Sequence, residues 1–337
     1  MELVEVVRDF ALDAEVPVYN EDEIDPLVFL REHVMRNRPA ILKCKAERYP
    51  CLSRWSSLDA VAQRLGDTPL TVCVTPNGRA DAVTVVNKTD GVRDPDGDSD
   101  DTEKMFLEPQ EITMTYGDLV NILKAQFHNE DNNSNDADGN NDVYYYQKQN
   151  DCLRQECPAL LQDVPESVDW FQKLLGCPPD AVNLWTGGKH TVTSCHQDFY
   201  ENLMLVVRGQ KHLLLMPPQC LPWLRKREYP CGRWDKQSDG TWTVRRDPDN
   251  QRVEWIDLDA AQWHGLHVRR VTLSPGDMLY LPAMWYHRVE QSSGDEGATV
   301  AVNWWHDMDF LTPNYVSHRF LEHLVPCIDT NDTCAAT

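Results

Sequence analysis

The chain has 337 residues, with 54 acidic and 32 basic side chains and a formal net charge of −22. A protein that grips nucleic acid needs a basic face, because much of its affinity comes from neutralising phosphates; basic runs here are short, as in Arg225-Lys226-Arg227, which argues against such a partner. An apolar fraction of 41% with 11 Trp supplies a large core, in one sizeable domain or two smaller ones, and excludes disorder throughout.

The charge is unevenly placed. Residues 90–103 carry seven acids and one Arg, and residues 129–142 carry five acids and six Asn without a base. Both read as solvated acidic loops, and together they hold −11 of the −22. No run approaches the roughly eighteen apolar residues of a membrane span, and Met1-Glu2-Leu3-Val4-Glu5 lacks the layout of a secretory signal. Eleven cysteines, an odd number without a Cys-x-x-Cys pair, suggest free thiols in a reducing compartment: the cytoplasm, with the nucleus as a second expectation.

In chain order, Leu3, Val6, Val7 and Phe10 recur at helical spacing. A second helix is predicted over 26–34, a strand at Arg38–Leu42, and a helix with Leu58, Val61 and Leu65 on one face that stops at Gly66. Thr71–Thr75 and Ala82–Val86 are β-rich and flank the Pro76-Asn77-Gly78 turn. A helix over 116–127 separates the two acidic loops, and the aromatic run Val143-Tyr144-Tyr145-Tyr146-Gln147 reads as a strand.

From Val182 the pattern becomes a series of short strands: 183–186, 191–198, 202–207, 211–216, 268–273, 277–281, 286–291 and 299–304. Their regular turn signals predict an antiparallel double-sheet barrel. Residues 219–267 interrupt it as an insertion expected to pack on the barrel mouth. Thr312 before Pro313 is a helix N-cap and first-turn pair, and Val316, Phe320 and Leu324 give the final helix one apolar face. The organisation expected is N-terminal α+β elements over 1–142, a barrel over 143–310, and a C-terminal helix and tail over 311–337.

The chemistry lies in Thr193-Ser194-Cys195-His196-Gln197-Asp198. On a strand, residues i and i+2 share a face about 6–7 Å apart, so His196 and Asp198 converge while Gln197 points away. The second cluster, Pro275-Gly276-Asp277-Met278-Leu279-Tyr280-Leu281-Pro282-Ala283-Met284-Trp285-Tyr286-His287, places another His where a neighbouring strand would supply a third ligand. Two His and one carboxylate on one face leave open positions on an octahedral metal, the pattern of non-haem Fe(II) oxygenases rather than of structural zinc. Gly-x-Ser-x-Gly, phosphate-loop and Gly-x-Gly-x-x-Gly motifs are absent from the sequence.

These two segments resemble the JmjC (jumonji-C) branch of Fe(II)/2-oxoglutarate oxygenases, whose distal motif reads Pro-Gly-Asp, a short apolar strand, then Pro-x-x-Trp-x-His. The resemblance extends from Asn37-Arg38-Pro39-Ala40-Ile41 and Trp55-Ser56 through Tyr145–Gln149 to Ala301-Val302-Asn303-Trp304-Trp305. It implies a mainly β fold with α elements, a double-stranded β-helix of the cupin-like jelly-roll kind. Within that branch the chain looks most like the small jumonji-domain-containing seven group. Its members are described as (3S)-lysyl hydroxylases acting on developmentally regulated GTP-binding proteins, and also as peptidases that clip methylated histone tails.

Residue by residue, the resemblance implies that His196, Asp198 and His287 bind the Fe(II). Lys211 matches the base that pairs with the distal carboxylate of 2-oxoglutarate. Thr193 matches a hydroxyl donor to the same carboxylate; it lies three before His196 and shares the ligands' face only if the strand bulges. Asn202 and Asn303 match amides that flank the cofactor, and one tyrosine of the 144–146 run supplies a phenol, Tyr145 by alignment on Gln147-Lys148-Gln149.

The expected function is then hydroxylation of a lysyl side chain in a protein substrate, with succinate and CO2 as co-products. The alternatives are an endopeptidase acting on histone tails and a histone demethylase. The apolar face of the last helix adds the expectation of a homodimer.

Overall fold

A computed structural model of the chain describes residues 15–87, 102–131, 142–224, 226–258 and 268–324. The predicted helix over 3–10 and most of both acidic loops fall outside these residues. Eight strands of the barrel follow one another along the chain: β1 (Ala181–Gly187), β2 (Val192–Gln197), β3 (Tyr200–Arg208), β4 (Gln210–Met216), β5 (Arg269–Leu273), β6 (Asp277–Leu281), β7 (Tyr286–Ser292) and β8 (Thr299–Asp307).

They divide between two sheets in the orders β6-β3-β8-β1 and β5-β4-β7-β2, the winding of a double-stranded β-helix. The first sheet is buried on both faces, which is why β8 reads as the unbroken run Thr299–His306. It continues at one side into Ala40–Lys43 and the edge strand Val18–Asn20, and at the other into Val143–Tyr146, Pro69–Thr75 and Gln110–Thr115. The second sheet gains the short strand Arg79–Ala80, paired in parallel with β2.

Local sequence accounts for the connections. Ser57 caps the helix Leu58–Leu65 through a 3.0 Å bond from the Ala60 amide, and the chain leaves that helix at Gly66 with φ of 56°. Gly78 stands at φ of 73° where a Cβ would meet the His190 carbonyl oxygen at 1.9 Å, so only glycine allows the turn to close. The helix over 26–34 begins as α at Pro26–Phe29 under an Asp25 cap and continues as a π-turn over Leu30–Val34. The Thr312 hydroxyl accepts from the Tyr315 amide at the start of Pro313–Leu324.

The structure corrects the reading of two acidic tracts and fills in the insertion. Thr102 and Glu103 open the strand Thr102–Glu108 rather than ending a loop, and the helix from Tyr116 continues to Asp131. Asp142 is buried, accepting from Lys236 and, at 3.0 Å, from the Trp242 indole. Its desolvation is offset by a cation and a donor that come from almost a hundred residues away. Within 219–267 lie the strands Arg227–Lys236, Trp242–Arg246 and Arg252–Trp255. Arg227–Lys236 runs parallel to Thr102–Glu108, which pairs in turn with Ala82–Asn87, so a third sheet stands beside the barrel.

Candidate active site

His196 is the penultimate residue of β2 and His287 the second of β7, and the two are direct partners across the antiparallel ladder. Their rings lie 4.2 Å apart between centroids. Asp198, just past the end of β2, is held by a 2.7 Å bond from the Met284 amide to its carbonyl. Its carboxylate oxygens stand 3.7 Å from His196 Nε2 and 3.7 Å from His287 Nε2. One donor atom from each of the three residues falls within 4.8 Å of the others.

Both imidazoles are oriented from behind. Nδ1 of His196 faces the Ser194 carbonyl at 2.9 Å, and Nδ1 of His287 faces the Trp285 carbonyl at 3.0 Å. Each Nδ1 is therefore the protonated nitrogen, and each Nε2 lone pair points at the shared centre. Burial, with His196 beside it, depresses His287 to about 4, which keeps its ring in the neutral form that binds metals. His196 and Asp198 are part-exposed whereas His287 is buried, so the triad opens to one side. There the Trp255 indole lies parallel to the His196 ring, 6.3 Å away and inclined by 3°, and donates to Ser194 Oγ at 3.0 Å. Trp255 belongs to the insertion, which thus walls the opening.

Behind the triad is a buried cation. Lys211 on β4 is 2% exposed, and its Nζ reaches Tyr145 Oη at 3.4 Å and Gln291 Oε1 at 3.3 Å. Among the described residues no carboxylate faces it, and burial pushes its pKa down to about 7. The indole of Trp185 lies 6.0 Å from the same Nζ and donates at 2.8 Å to Asn303 Oδ1, whose amide donates at 3.1 Å to Asn202 Oδ1. Thr193 lies close enough to the Tyr145 phenol to favour its ionised form.

Every residue singled out in the sequence is thus drawn into one connected region. The condition set for Thr193 is met: between Thr193 and His196 the β2–β7 register slips by one residue, a bulge that returns Thr193 to the ligands' face. The tyrosine choice is resolved by direction: Tyr146 donates to Glu156 and Tyr144 to Asp142, leaving Tyr145 turned toward Lys211. Sequence reasoning missed Gln291, Trp185, Trp255 and Asp81. Gln291 had a signal, since it shares strand parity with His287 on β7; Trp255 had none, being brought in by the third sheet.

The donor set fits the groups implied. Two convergent imidazole lone pairs and a carboxylate suit a divalent iron with positions left open, and a buried ammonium without a counter-charge suits a small dicarboxylate.

Comparison with known proteins agrees with this geometry. The family model for the cupin-like domain matches residues 26–312. The chain belongs to the cupin-like JmjC family. Among JmjC relatives, it is 34% identical over 90% of its length to the human bifunctional peptidase and (3S)-lysyl hydroxylase JMJD7, covering 87% of that protein. It is 31% identical over 95% of its length to the lysine-specific demethylase JMJ32 of Arabidopsis thaliana, of which it covers 89%. With the JmjC domain-containing protein E of Dictyostelium discoideum it shares 31% identity, over 88% of this chain and 85% of the relative. JmjC enzymes depend on Fe(II) and 2-oxoglutarate, and the His-Asp-His cluster of this chain is a donor set suited to that iron.

Proposed function

We propose that the protein is an Fe(II)- and 2-oxoglutarate-dependent hydroxylase of a lysyl side chain in a GTP-binding protein. The observation that carries the cofactor half of this reading is Lys211, a buried lysine with no counter-charge among the described residues, in the same barrel as three convergent metal-ligand atoms. The lysyl half is supported by similarity to the human (3S)-lysyl hydroxylase.

His196, Asp198 and His287 would hold the iron, which when bound supplies the oxygen-activating chemistry. Lys211 binds the distal carboxylate of 2-oxoglutarate, a charge-assisted contact of about 1.5–3 kcal/mol, with Tyr145 and Thr193 completing the donor set. Asn202 and Asn303, joined to that set through Trp185, fix the floor of the site. Buried apolar walls exclude water from it.

Anaerobic loading with Fe(II), followed by 2-oxoglutarate, air and a lysine-containing peptide from such a GTPase, should give succinate in step with a product heavier by one oxygen. Absence of succinate above a His196→Ala control overturns the oxygenase reading. With a methyllysine peptide in its place, a product that has lost a methyl group would instead favour the demethylase named for the Arabidopsis relative, and cleavage of either peptide the peptidase. The reading also includes a homodimer formed through the exposed Val316, Phe320 and Leu324, and a cytoplasmic protein that also enters the nucleus, supported by nine free cysteines among the described residues.

A further inference from the structure

Asp81 joins two sheets at the open side of the triad. It follows Arg79–Ala80, which pairs with β2, and precedes Ala82–Asn87 of the third sheet, so the chain changes sheets at this residue. The turn needs a φ of 53° there, which aspartate tolerates better than most side chains. The Asp81 carbonyl accepts a 2.6 Å bond from Ser194, two residues before the ligand His196 and itself bonded to Trp255. The Asp81 carboxylate accepts at 3.3 Å from Gln147, which directly follows the strand Val143–Tyr146 that carries Tyr145. The backbone contact seats Asp81 beside Ser194 and Trp255, and the carboxylate lies next to Gln147 within electrostatic reach of His196.

The carboxylate stands there without a cation. Two other acids in its neighbourhood have cation partners of their own: Glu108 pairs with Arg233 at 2.6 Å, and Glu111 with Lys148 at 2.9 Å. Asp81 has one long bond from a neutral amide and, among the described residues, no lysine or arginine partner. Burial and the charge of Glu108 raise its pKa to about 6, against the opposing pull of His196, so its ionised form is costly until a positive group arrives.

We infer that Asp81 is the recognition contact for the substrate: it accepts the ammonium of the lysyl side chain and thereby holds the adjoining methylene carbons toward the metal ligands, under the Trp255 indole. This deepens the lysyl hydroxylase reading and rests on it. An ammonium is a compact donor that meets a single carboxylate without the bidentate geometry arginine requires. A neutral or acetylated lysine would leave the carboxylate buried and unpaired, so the same residue selects against it.

The test uses the full chain loaded with Mn(II) and 2-oxoglutarate, with Nα-acetyl-lysine N-methylamide and its norleucine isostere as probes and Trp fluorescence as readout. The wild-type protein should prefer the lysyl probe by about tenfold, the factor that corresponds to about 1.4 kcal/mol. Asp81→Asn should remove that preference, whereas Glu108→Gln should keep it. Because the change relieves an uncompensated charge, Asp81→Asn should also melt no lower than wild type, which a purely structural role would not give. Equal affinities in the wild type, no binding of the lysyl probe at millimolar concentration, or a preference retained in Asp81→Asn overturns the inference. Preference without succinate formation from any lysyl peptide would sink the hydroxylase reading while leaving the Asp81 contact standing.

Discussion

Burial places the Lys211 pKa at about 7, well below the ordinary lysine value of 10.5, because its partners are a phenol and an amide. Between those two values the unfolded chain binds the proton and the folded ligand-free protein does not. Stability of that form therefore rises with pH across the window, and the contribution disappears once pH exceeds the unfolded value. A bound dicarboxylate reverses the preference by favouring the ammonium. Affinity for 2-oxoglutarate should then be flat below about pH 7 and fall about tenfold per unit above it, as titrations between about pH 6 and about pH 9 would show. Lys211→Met should remove this dependence and weaken 2-oxoglutarate about ten- to a hundredfold while leaving Mn(II) affinity in place. A variant that binds the acid as tightly as wild type would separate Lys211 from the cofactor.

At the scale of elements, the site is a product of one ladder and one close approach. The β2–β7 pair carries His196 and His287, with Asp198 directly after β2, and its bulge decides which face Thr193 takes. Gly187 at the end of β1 is the close approach: a Cβ there would meet Tyr145 Cδ2 at 2.6 Å, Gln291 Nε2 at 2.7 Å and Thr191 Oγ1 at 3.0 Å. Tyr145 and Gln291 are the two hydrogen-bond partners of Lys211, so Gly187→Ala should raise the KM for 2-oxoglutarate about tenfold with little effect on metal affinity. An unchanged KM would mean that the two side chains yield without moving Lys211. The barrel strands were legible because burial imposes either period two or an unbroken apolar run, and His196, Asp198 and His287 were legible because their spacing carries their chemistry. The third sheet was not. Thr102–Glu108 and Arg227–Lys236 show neither strict alternation nor an unbroken apolar run, and they pair with each other across more than a hundred residues, so no local pattern announces their pairing. Asp81 and Trp255 were hidden with that sheet, since each acquires its meaning from the strands it joins.

For the molecule as a whole, the exposed residues Val316 (59%), Phe320 (63%) and Leu324 (39%) form an apolar stripe, with Leu311 (88%) nearby in sequence. If copies pair through this helix, Phe320→Glu should convert a sedimenting dimer to monomer at micromolar concentration; a wild-type monomer under the same conditions would refute the dimer. The insertion has a different standing. It leaves the barrel after β4 and returns at β5, and these strands are hydrogen-bonded neighbours with Leu215 opposite Arg269. Its two ends are therefore already fixed beside each other whatever lies between them, and doubling the length of a flexible connection there adds only about 0.6 kcal/mol of loop entropy. The segment that brings Trp255 to the opening is thus anchored at one place: its connections can change in length while the ladder that carries His196 and His287 stays in register, whereas Lys236 and Trp242 are tied to the buried Asp142, so the wall of the opening and the metal ladder are separate pieces of one chain.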